Sequence, residues 1–474
     1  MNITMYVTMQ QYVKPCLVAG ALLLTACSPQ QPVGTGVQAQ QDTVLGTTGF
    51  YASKTPYQPQ QVAAEYEAAP AGFYAVMVQH VARHGSRGLS SPDDDDLSLQ
   101  LWLQAQQENA LTSEGETFGE LLVRFQQASG KLGYGNLSRL GELEHQQMAE
   151  RFIRRQPQLL AQAIKEGRRI SVQHSGRERA DDSATHFVKG LQAGLPEISA
   201  LIDAAEVSHQ TLYFHKAEGE DTAAYLAYRK ADPRLIARLG SILALPQTAA
   251  VATAMLQRLY SKAFVSRLAQ GQYQFQAKDD DATLSNHIEA AQALYSLYSI
   301  ASNLPYEGDW HFADYIKPEH AQWMAYLDDA ESFYERGPAF AGDTVTYRMA
   351  GNLLADFFQR IDALKNGDER YVAALRFTHA QVLIPFAALL GIKDASEGLP
   401  AEQTYSYQHS NWRSAEVSPM AANVQWDVYR NSENRYLVTM FHHEKQTPFK
   451  ADCKPYADTR YFYELAELKR CYGY

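Results

Sequence analysis

The sequence predicts an α/β fold that is interrupted by a helical insertion. Three short apolar runs, at 73–78, 170–175 and 373–378, have the length and composition of buried strands, and polar or charged residues follow each of them. Between about 190 and 343 such runs are few, and Ala, Leu and Tyr recur at helical spacing. Because α/β sheets bind ligands beyond the carboxyl ends of their strands, we expect functional residues directly after the three runs.

The first run leads into residues 83–88, Arg-His-Gly-Ser-Arg-Gly, where glycines punctuate two arginines and a histidine. Arginine binds phosphate oxygens through two parallel hydrogen bonds. A neutral imidazole nitrogen can attack phosphorus. This loop therefore indicates a phosphoryl-binding site.

The other two runs end in comparable segments. After 170–175 comes the frame R-x-x-D-S-A-x-x-F, which starts at Arg179, and Ser183 is predicted to cap the helix that follows. The third run ends in His379-Ala380-Gln381, and a helical pattern begins immediately after it. The sequence thus predicts that Arg179 and His379 lie beyond strand ends, as His84 does.

The charge of the chain limits the class of partner. Its formal net charge is −11 and its pI about 5.7, which does not favour a nucleic-acid partner. An anionic ligand would need a local basic pocket in this acidic protein. Cys453 and Cys471 lie close together near the C-terminus, and in an oxidising compartment we expect them to form a disulfide.

The N-terminal segment predicts export. Residues 16–26 are apolar but too few to span a bilayer. The run ends in Leu-Thr-Ala before Cys27, which resembles the lipobox of bacterial lipoproteins and implies cleavage before Cys27 and a lipid on its thiol. A plain secretory signal is the alternative. Ser28 after the cysteine favours the outer membrane, and the polar residues 27–47 are interpreted as a flexible tether.

Two motifs carry a resemblance to a known family. The segment Arg83-His84-Gly85-Ser86-Arg87 resembles the RHGxR signature of the histidine phosphatase superfamily, in its acid-phosphatase and phytase branch. Lys54-Thr55-Pro56-Tyr57 resembles a segment of the multiple inositol polyphosphate phosphatases, one family within it. The resemblance implies a mixed central sheet flanked by helices, formed by 48–190 and 344–474, with 191–343 as a helical cap lobe over the active site.

The resemblance also implies roles for individual residues. His84 would be the nucleophile, and a clamp of four side chains would hold the phosphoryl oxygens: Arg83, Arg87, Arg179 and His379. Lys54 and Ser86 would line the pocket, whereas Arg177 is off the motif's register. His215 and Lys216 in the insertion would stand at the pocket rim or be ordinary exposed residues. No metal or other cofactor is implied.

One position departs from the family pattern. The relatives place a proton-donating carboxylate just after the second histidine, whereas this chain has Gln381, whose amide cannot act as a general acid near neutral pH. The donor could instead be Glu444, a carboxylate of the segment 93–96, or a water held by Gln381. Apart from this possible role, the segment 93–96 is predicted to be a solvated acidic turn. Hydrolysis could also simply be slow.

The predicted function is hydrolysis of phosphomonoesters, with inositol polyphosphates such as phytate as substrates and a phosphohistidine intermediate. The alternatives are a lipoprotein that binds polyanions with little or no turnover, and a sugar-phosphate phosphatase. A phosphomutase is disfavoured, because its glycolytic substrates are cytosolic. The pair His442-His443 ends a predicted hairpin, and since successive strand residues face opposite sides, we do not expect one metal ion to bind both.

Overall fold

The middle strand of the central sheet is the first apolar run. In the computed structural model, which describes residues 49–278 and 281–474, β1 (Tyr74–Arg83) has eight buried residues out of ten. Such continuous burial is typical of a strand covered on both faces. Cys27, the signal segment and the tether lie outside the described residues, so the predictions made for them stay predictions.

The strands are listed here in chain order: β1, β2 (Arg169–His174), β3 (Glu206–Val207), β4 (Phe275–Gln276), β5 (Thr283–Leu284), β6 (Tyr371–Thr378), β7 (Asn423–Arg430), β8 (Tyr436–His442), β9 (Lys445–Thr447) and β10 (Tyr463–Glu464). Among the described residues, eight of them form one mixed sheet in the order β10-β8-β7-β1-β6-β2-β3, with β9 beside β8. Strands β1, β6, β2 and β3 are parallel, and the other neighbours are antiparallel. The predicted mixed sheet is thus confirmed.

The α-helices, also in chain order, are α1 (Asp93–Gln107), α2 (Ser113–Leu132), α3 (Arg139–Arg155), α4 (Pro157–Glu166), α5 (Glu178–Gly194), α6 (His209–Leu212), α7 (Glu220–Ala231), α8 (Pro233–Leu243), α9 (Pro246–Leu259), α10 (Lys262–Ala269), α11 (His287–Ala301), α12 (Pro318–Glu335), α13 (Gly351–Lys365), α14 (Ala380–Leu389), α15 (Ser414–Val417) and α16 (Leu465–Tyr472). Short 3-10 turns include Ala52–Lys54 and Phe214–Lys216.

The predicted cap segment contains α6 to α12, but β3 within it pairs with β2 and so belongs to the central sheet. Residues Thr47–Tyr474 form one compact unit, and the division into two lobes stays a prediction. No single helix in the described ranges is long and apolar enough to cross a membrane. The pair α8 and α9, which meet at an angle of 51°, is long and apolar enough only when the two helices are taken together.

Two local predictions were wrong. Residues 93–96 are not a solvated turn but the first turn of α1, where Asp95 and Asp96 are buried. Carboxylates are favoured at that position, because the helix dipole is positive at its N-terminus. Ser183 does not cap α5, which already begins at Glu178; its hydroxyl instead donates to the carbonyl of Arg179 inside the helix.

The predicted disulfide is present. Cys453 and Cys471 are bonded across a sequence separation of 18 residues, with their Cα atoms 5.5 Å apart. The bond joins the C-terminal helix α16 to the loop before β10. A loop of this length makes a disulfide worth about 3 kcal/mol of stability.

Candidate active site

The parallel strands bring the predicted site residues to one edge of the sheet. In the register of the sheet, Arg83 of β1 pairs with Thr378 of β6, and His174 of β2 pairs with Phe377. The residues that follow, His84, Ser175 and His379, therefore emerge side by side. The rings of His84 and His379 lie with their centroids 5.4 Å apart.

His84 has a defined tautomer. Its Nδ1 lies 2.9 Å from the carbonyl oxygen of Gly85, which can only accept a hydrogen bond, so Nδ1 carries the proton and Nε2 keeps a lone pair. The pKa of His84 is well below its usual value, first because the ring is buried and then because Arg83, Arg179, His379 and Arg87 lie near it. The imidazole is thus neutral and nucleophilic at Nε2.

Three arginines surround this ring with part of their hydrogen-bonding capacity unused. Arg83 donates through Nη1 to the carbonyls of Ser53 (2.7 Å) and Ser418 (2.6 Å), and Arg87 donates to that of Gly88 (2.6 Å). The Nε atoms of Arg83, Arg87 and Arg179 are buried without a protein partner. None of the three arginines forms an ion pair with the residues the structure describes.

Burial lowers the pKa of Arg83 and of Arg87 to about 9 each, and repulsion between the arginines acts in the same direction. The pKa of Arg179 is also lowered, mainly by burial and then by Arg177. Cations so close together, with buried donors left unsatisfied, make a strong site for an anion.

His379 supplies a further group to this site. It lies at the N-cap position of α14, and its Nε2 is 2.8 Å from Oγ of Ser175. Its Nδ1 is buried and has no partner in the described part of the chain. Burial, followed by the charge of Arg179, holds the pKa of His379 well below its usual value. Sequence reasoning did not single out Ser175, although it directly follows the second strand.

A carboxylate of α3 supports the loop after β1. Glu144 of α3 accepts hydrogen bonds from the Ser86 backbone N–H (2.6 Å), the Ser86 hydroxyl (2.8 Å) and the Tyr57 N–H (2.9 Å). Ser86 is fully buried, so its hydroxyl positions the loop, and the structure gives no support to the predicted contact between Ser86 and substrate. A Cβ on Gly85 would lie 2.6 Å from the carbonyl of Gly141, which is why α3 can approach only a glycine there.

The predicted binding residues lie on two walls. Lys54 follows Ser53, which holds Arg83, and its Nζ is 3.5 Å from Oδ2 of Asp328. On the other wall the ring of Tyr213 lies 5.5 Å from that of His379 and 4.6 Å from that of His215.

Burial, assisted by Lys216 and two arginines, lowers the pKa of His215 to about 3, so this ring is neutral. Lys216 is exposed. Gln381 is the second residue of α14 and is partly exposed.

The contacts of Glu444 exclude it as the proton donor. Its carboxylate accepts from Arg151 Nη2 (2.8 Å) and from the hydroxyl of Tyr57 (2.8 Å). Burial acts to raise the pKa of Glu444, but the charge and hydrogen bonds of Arg151 outweigh it, and the net direction is downward. An ionised carboxylate that is already occupied cannot protonate a leaving group.

The two adjacent histidines are not on opposite sides as expected. β8 ends at His442, His443 has a φ of 51°, and the two rings lie against each other with centroids 3.7 Å apart and planes tilted by 37°. Each Nε2 is directed at a backbone carbonyl, of Val417 and Glu416 respectively. In residues 49–278 and 281–474 no group of three His, Cys, Asp or Glu side chains is arranged to hold a metal ion.

The family model described as "Histidine phosphatase superfamily (branch 2)" matches residues 76–443, which include His84, Arg179 and His379. The chain belongs to this superfamily. Multiple inositol polyphosphate phosphatase 1 of Gallus gallus is 28% identical over 177 residues, a match that spans 33% of this chain and 39% of that protein. The chain thus aligns with well under two thirds of this curated relative.

Solved structures align over a larger part of the chain. The multiple inositol polyphosphate phosphatase of Bifidobacterium longum, in complex with inositol hexasulfate, is 30% identical, covers 89% of this chain and 97% of its own, and gives a TM-score of 0.84. The phytase of D. castellii, at 14% identity, covers 90% of this chain and 84% of its own with a TM-score of 0.63, and shows similarity of fold alone.

Proposed function

We propose that this protein is a histidine-type phosphatase that hydrolyses inositol polyphosphates. The main support is the neutral ring of His84, whose Nε2 is unprotonated. It lies among three arginines that have no carboxylate partner in the described residues. A phosphoryl group satisfies these free donors and brings phosphorus to the nucleophile. Catalysis of phosphoryl transfer consists mainly of such positioning and charge stabilisation.

The reaction has two steps. Nε2 of His84 attacks phosphorus, and the bond between phosphorus and the leaving oxygen breaks to give a phosphohistidine. Water then attacks this intermediate, releases inorganic phosphate and restores the neutral imidazole. Arg83, Arg87 and Arg179 neutralise the charge that builds on the equatorial oxygens, and Nδ1 of His379 is placed to assist them.

The substrate class rests on the pocket walls and on the relatives. Lys54, which follows the residue whose carbonyl holds Arg83, and the exposed Lys216 would add positive charge for a ring that carries several phosphates. The relatives in Gallus gallus and Bifidobacterium longum are named for inositol polyphosphates. Gln381 favours the second candidate, a protein that binds polyanions with little turnover, because the usual proton donor is missing.

Phosphate release from inositol hexakisphosphate by the chain from residue 48 onward tests the proposal. We expect steady release, together with a covalent phosphoprotein that is stable in alkali and labile in acid after rapid denaturation, as a phosphohistidine is. Tight binding of inositol hexakisphosphate without release from this or any other phosphomonoester would instead establish the binding protein. Faster release from a sugar phosphate would change the substrate class.

We also propose that the protein is exported and carries a lipid on Cys27, at the outer membrane. The sequence around Cys27 supports this, and the disulfide between Cys453 and Cys471 is typical of an oxidising compartment. Bacteria that express the full chain with labelled palmitate should incorporate label into the wild type and not into Cys27→Ser. Equal labelling of both, or none in either, would contradict the lipid anchor.

A further inference from the structure

The proposed hydrolysis still lacks a source for the leaving-group proton. An inositol alkoxide is a poor leaving group, so a general acid is worth about 10²–10⁴ in rate. Gln381 cannot supply the proton, and Glu444 is ionised and held by Arg151. The proton therefore has to come from another group near the clamp.

Asp328 on α12 lies beside the arginine clamp. Its Oδ2 is 3.5 Å from Nζ of Lys54, and its side chain is 25% exposed, so solvent and ligands can reach it. Lys54 directly follows Ser53, whose carbonyl accepts from Arg83. Burial lowers the pKa of Arg83, and the two carboxylates that act in the opposite direction are Glu144 and Asp328.

Of these two carboxylates, only Asp328 is free to act. Glu144 is buried, and its two oxygens accept three hydrogen bonds from the loop and from Tyr57. Asp328 has the long contact with Lys54 and no other hydrogen bond among the described residues.

The framework holds Asp328 in a fixed relation to Arg83. The neighbouring Asp329 is buried and accepts from the Ser414 N–H (3.0 Å), the Ser414 hydroxyl and the Tyr407 hydroxyl (2.8 Å). These bonds join α12 to the start of α15. The residue after α15 is Ser418, whose carbonyl accepts from Arg83 at 2.6 Å.

We propose that Asp328 is the general acid of this enzyme, an assignment that rests on the proposed phosphatase function. As the bond from Nε2 of His84 to phosphorus forms and the bond from phosphorus to the leaving oxygen breaks, the carboxylic acid gives its proton to that oxygen. The inositol hydroxyl departs. The Asp328 carboxylate then takes a proton from the water that attacks the phosphohistidine, which restores both residues.

Lys54 is the partner for which a substrate competes. Its Nζ is 3.5 Å from Oδ2 of Asp328. A bound polyphosphate draws the positive charge of Lys54 to itself and so leaves the Asp328 carboxyl group free to act on the leaving oxygen.

The test compares two leaving groups in the variant Asp328→Asn. Inositol hexakisphosphate releases an alkoxide that needs a proton, whereas p-nitrophenyl phosphate releases a stable phenolate that does not. We expect the single-turnover rate of phosphohistidine formation from inositol hexakisphosphate to fall at least 100-fold, and the ratio of the rate from p-nitrophenyl phosphate to this rate to rise at least 30-fold. Equal loss on both substrates would overturn the assignment and leave Asp328 a partner of Lys54.

Two further variants complete the test. Glu331→Gln alters a carboxylate one turn along the same face of α12, 52% exposed and 4.0 Å from Arg336, and should leave the substrate ratio unchanged. Gln381→Glu, added to Asp328→Asn, should restore at least a tenth of the lost turnover of inositol hexakisphosphate. A raised ratio in Glu331→Gln, or no rescue by Gln381→Glu, would contradict the assignment. If the wild type hydrolyses neither substrate, the proposed function fails, and not the choice of acid.

Discussion

Replacing His84 by alanine should lower the release of phosphate from inositol hexakisphosphate at least about 10⁴-fold. The reason is that the neutral ring of His84 keeps a lone pair on Nε2, whereas the arginines around it can only donate hydrogen bonds. The covalent phosphoprotein should vanish as well. Both quantities are measured by the phosphate assay and the trapping experiment described above.

Binding provides the control for this variant. Removal of a neutral ring leaves the charges of Arg83, Arg87 and Arg179 in place, so the Kd for inositol hexasulfate should change less than about tenfold. Retention of a tenth of the wild-type activity by His84→Ala, or persistence of the phosphoprotein, would show that another nucleophile acts. Loss of both activity and binding would show instead that the loop after β1 had collapsed.

Glu144→Ala is expected to have the largest effect on stability. The substitution removes the acceptor of three buried hydrogen bonds, from Ser86 and Tyr57, and leaves the donors unpaired beside Arg83. Each unsatisfied buried donor costs about 1–3 kcal/mol, and we expect the free energy of unfolding to fall by about 3–5 kcal/mol. Chemical denaturation of the oxidised protein measures this loss.

A neighbouring glutamate serves as the matched control. Glu142 lies on the same helix but pairs with Arg139 at the surface, with side chains 30% and 50% exposed. Exposed pairs contribute about 0–1 kcal/mol, so Glu142→Ala should change the free energy of unfolding by less than about 1 kcal/mol. Equal effects of the two substitutions would contradict the role of Glu144 as the support of the loop.

Much of the fold could be predicted because its signals are local. The buried strands appear as the runs 73–78, 170–175 and 373–378, and the structure places β1, β2 and β6 over them. The errors arose where several local explanations fit the same residues. Four aspartates suit a solvated turn as well as the N-terminus of α1, and a serine suits a helix cap as well as the interior bond that Ser183 makes in α5.

From the sequence by itself, the resemblance of the RHGxR loop, Arg179 and His379 to the family motifs identified the clamp, and the structure shows the strands before these residues parallel and adjacent, so that they meet at one edge of the sheet. Only the tertiary structure decided the tautomer of His84, the support of Ser86 by Glu144 and the position of Asp328. These depend on contacts between distant segments, such as Lys54 and Asp328, which lie 274 residues apart in the chain. Periodicity and motif spacing describe residues that are neighbours along the chain. They do not predict which helix packs beside a given loop.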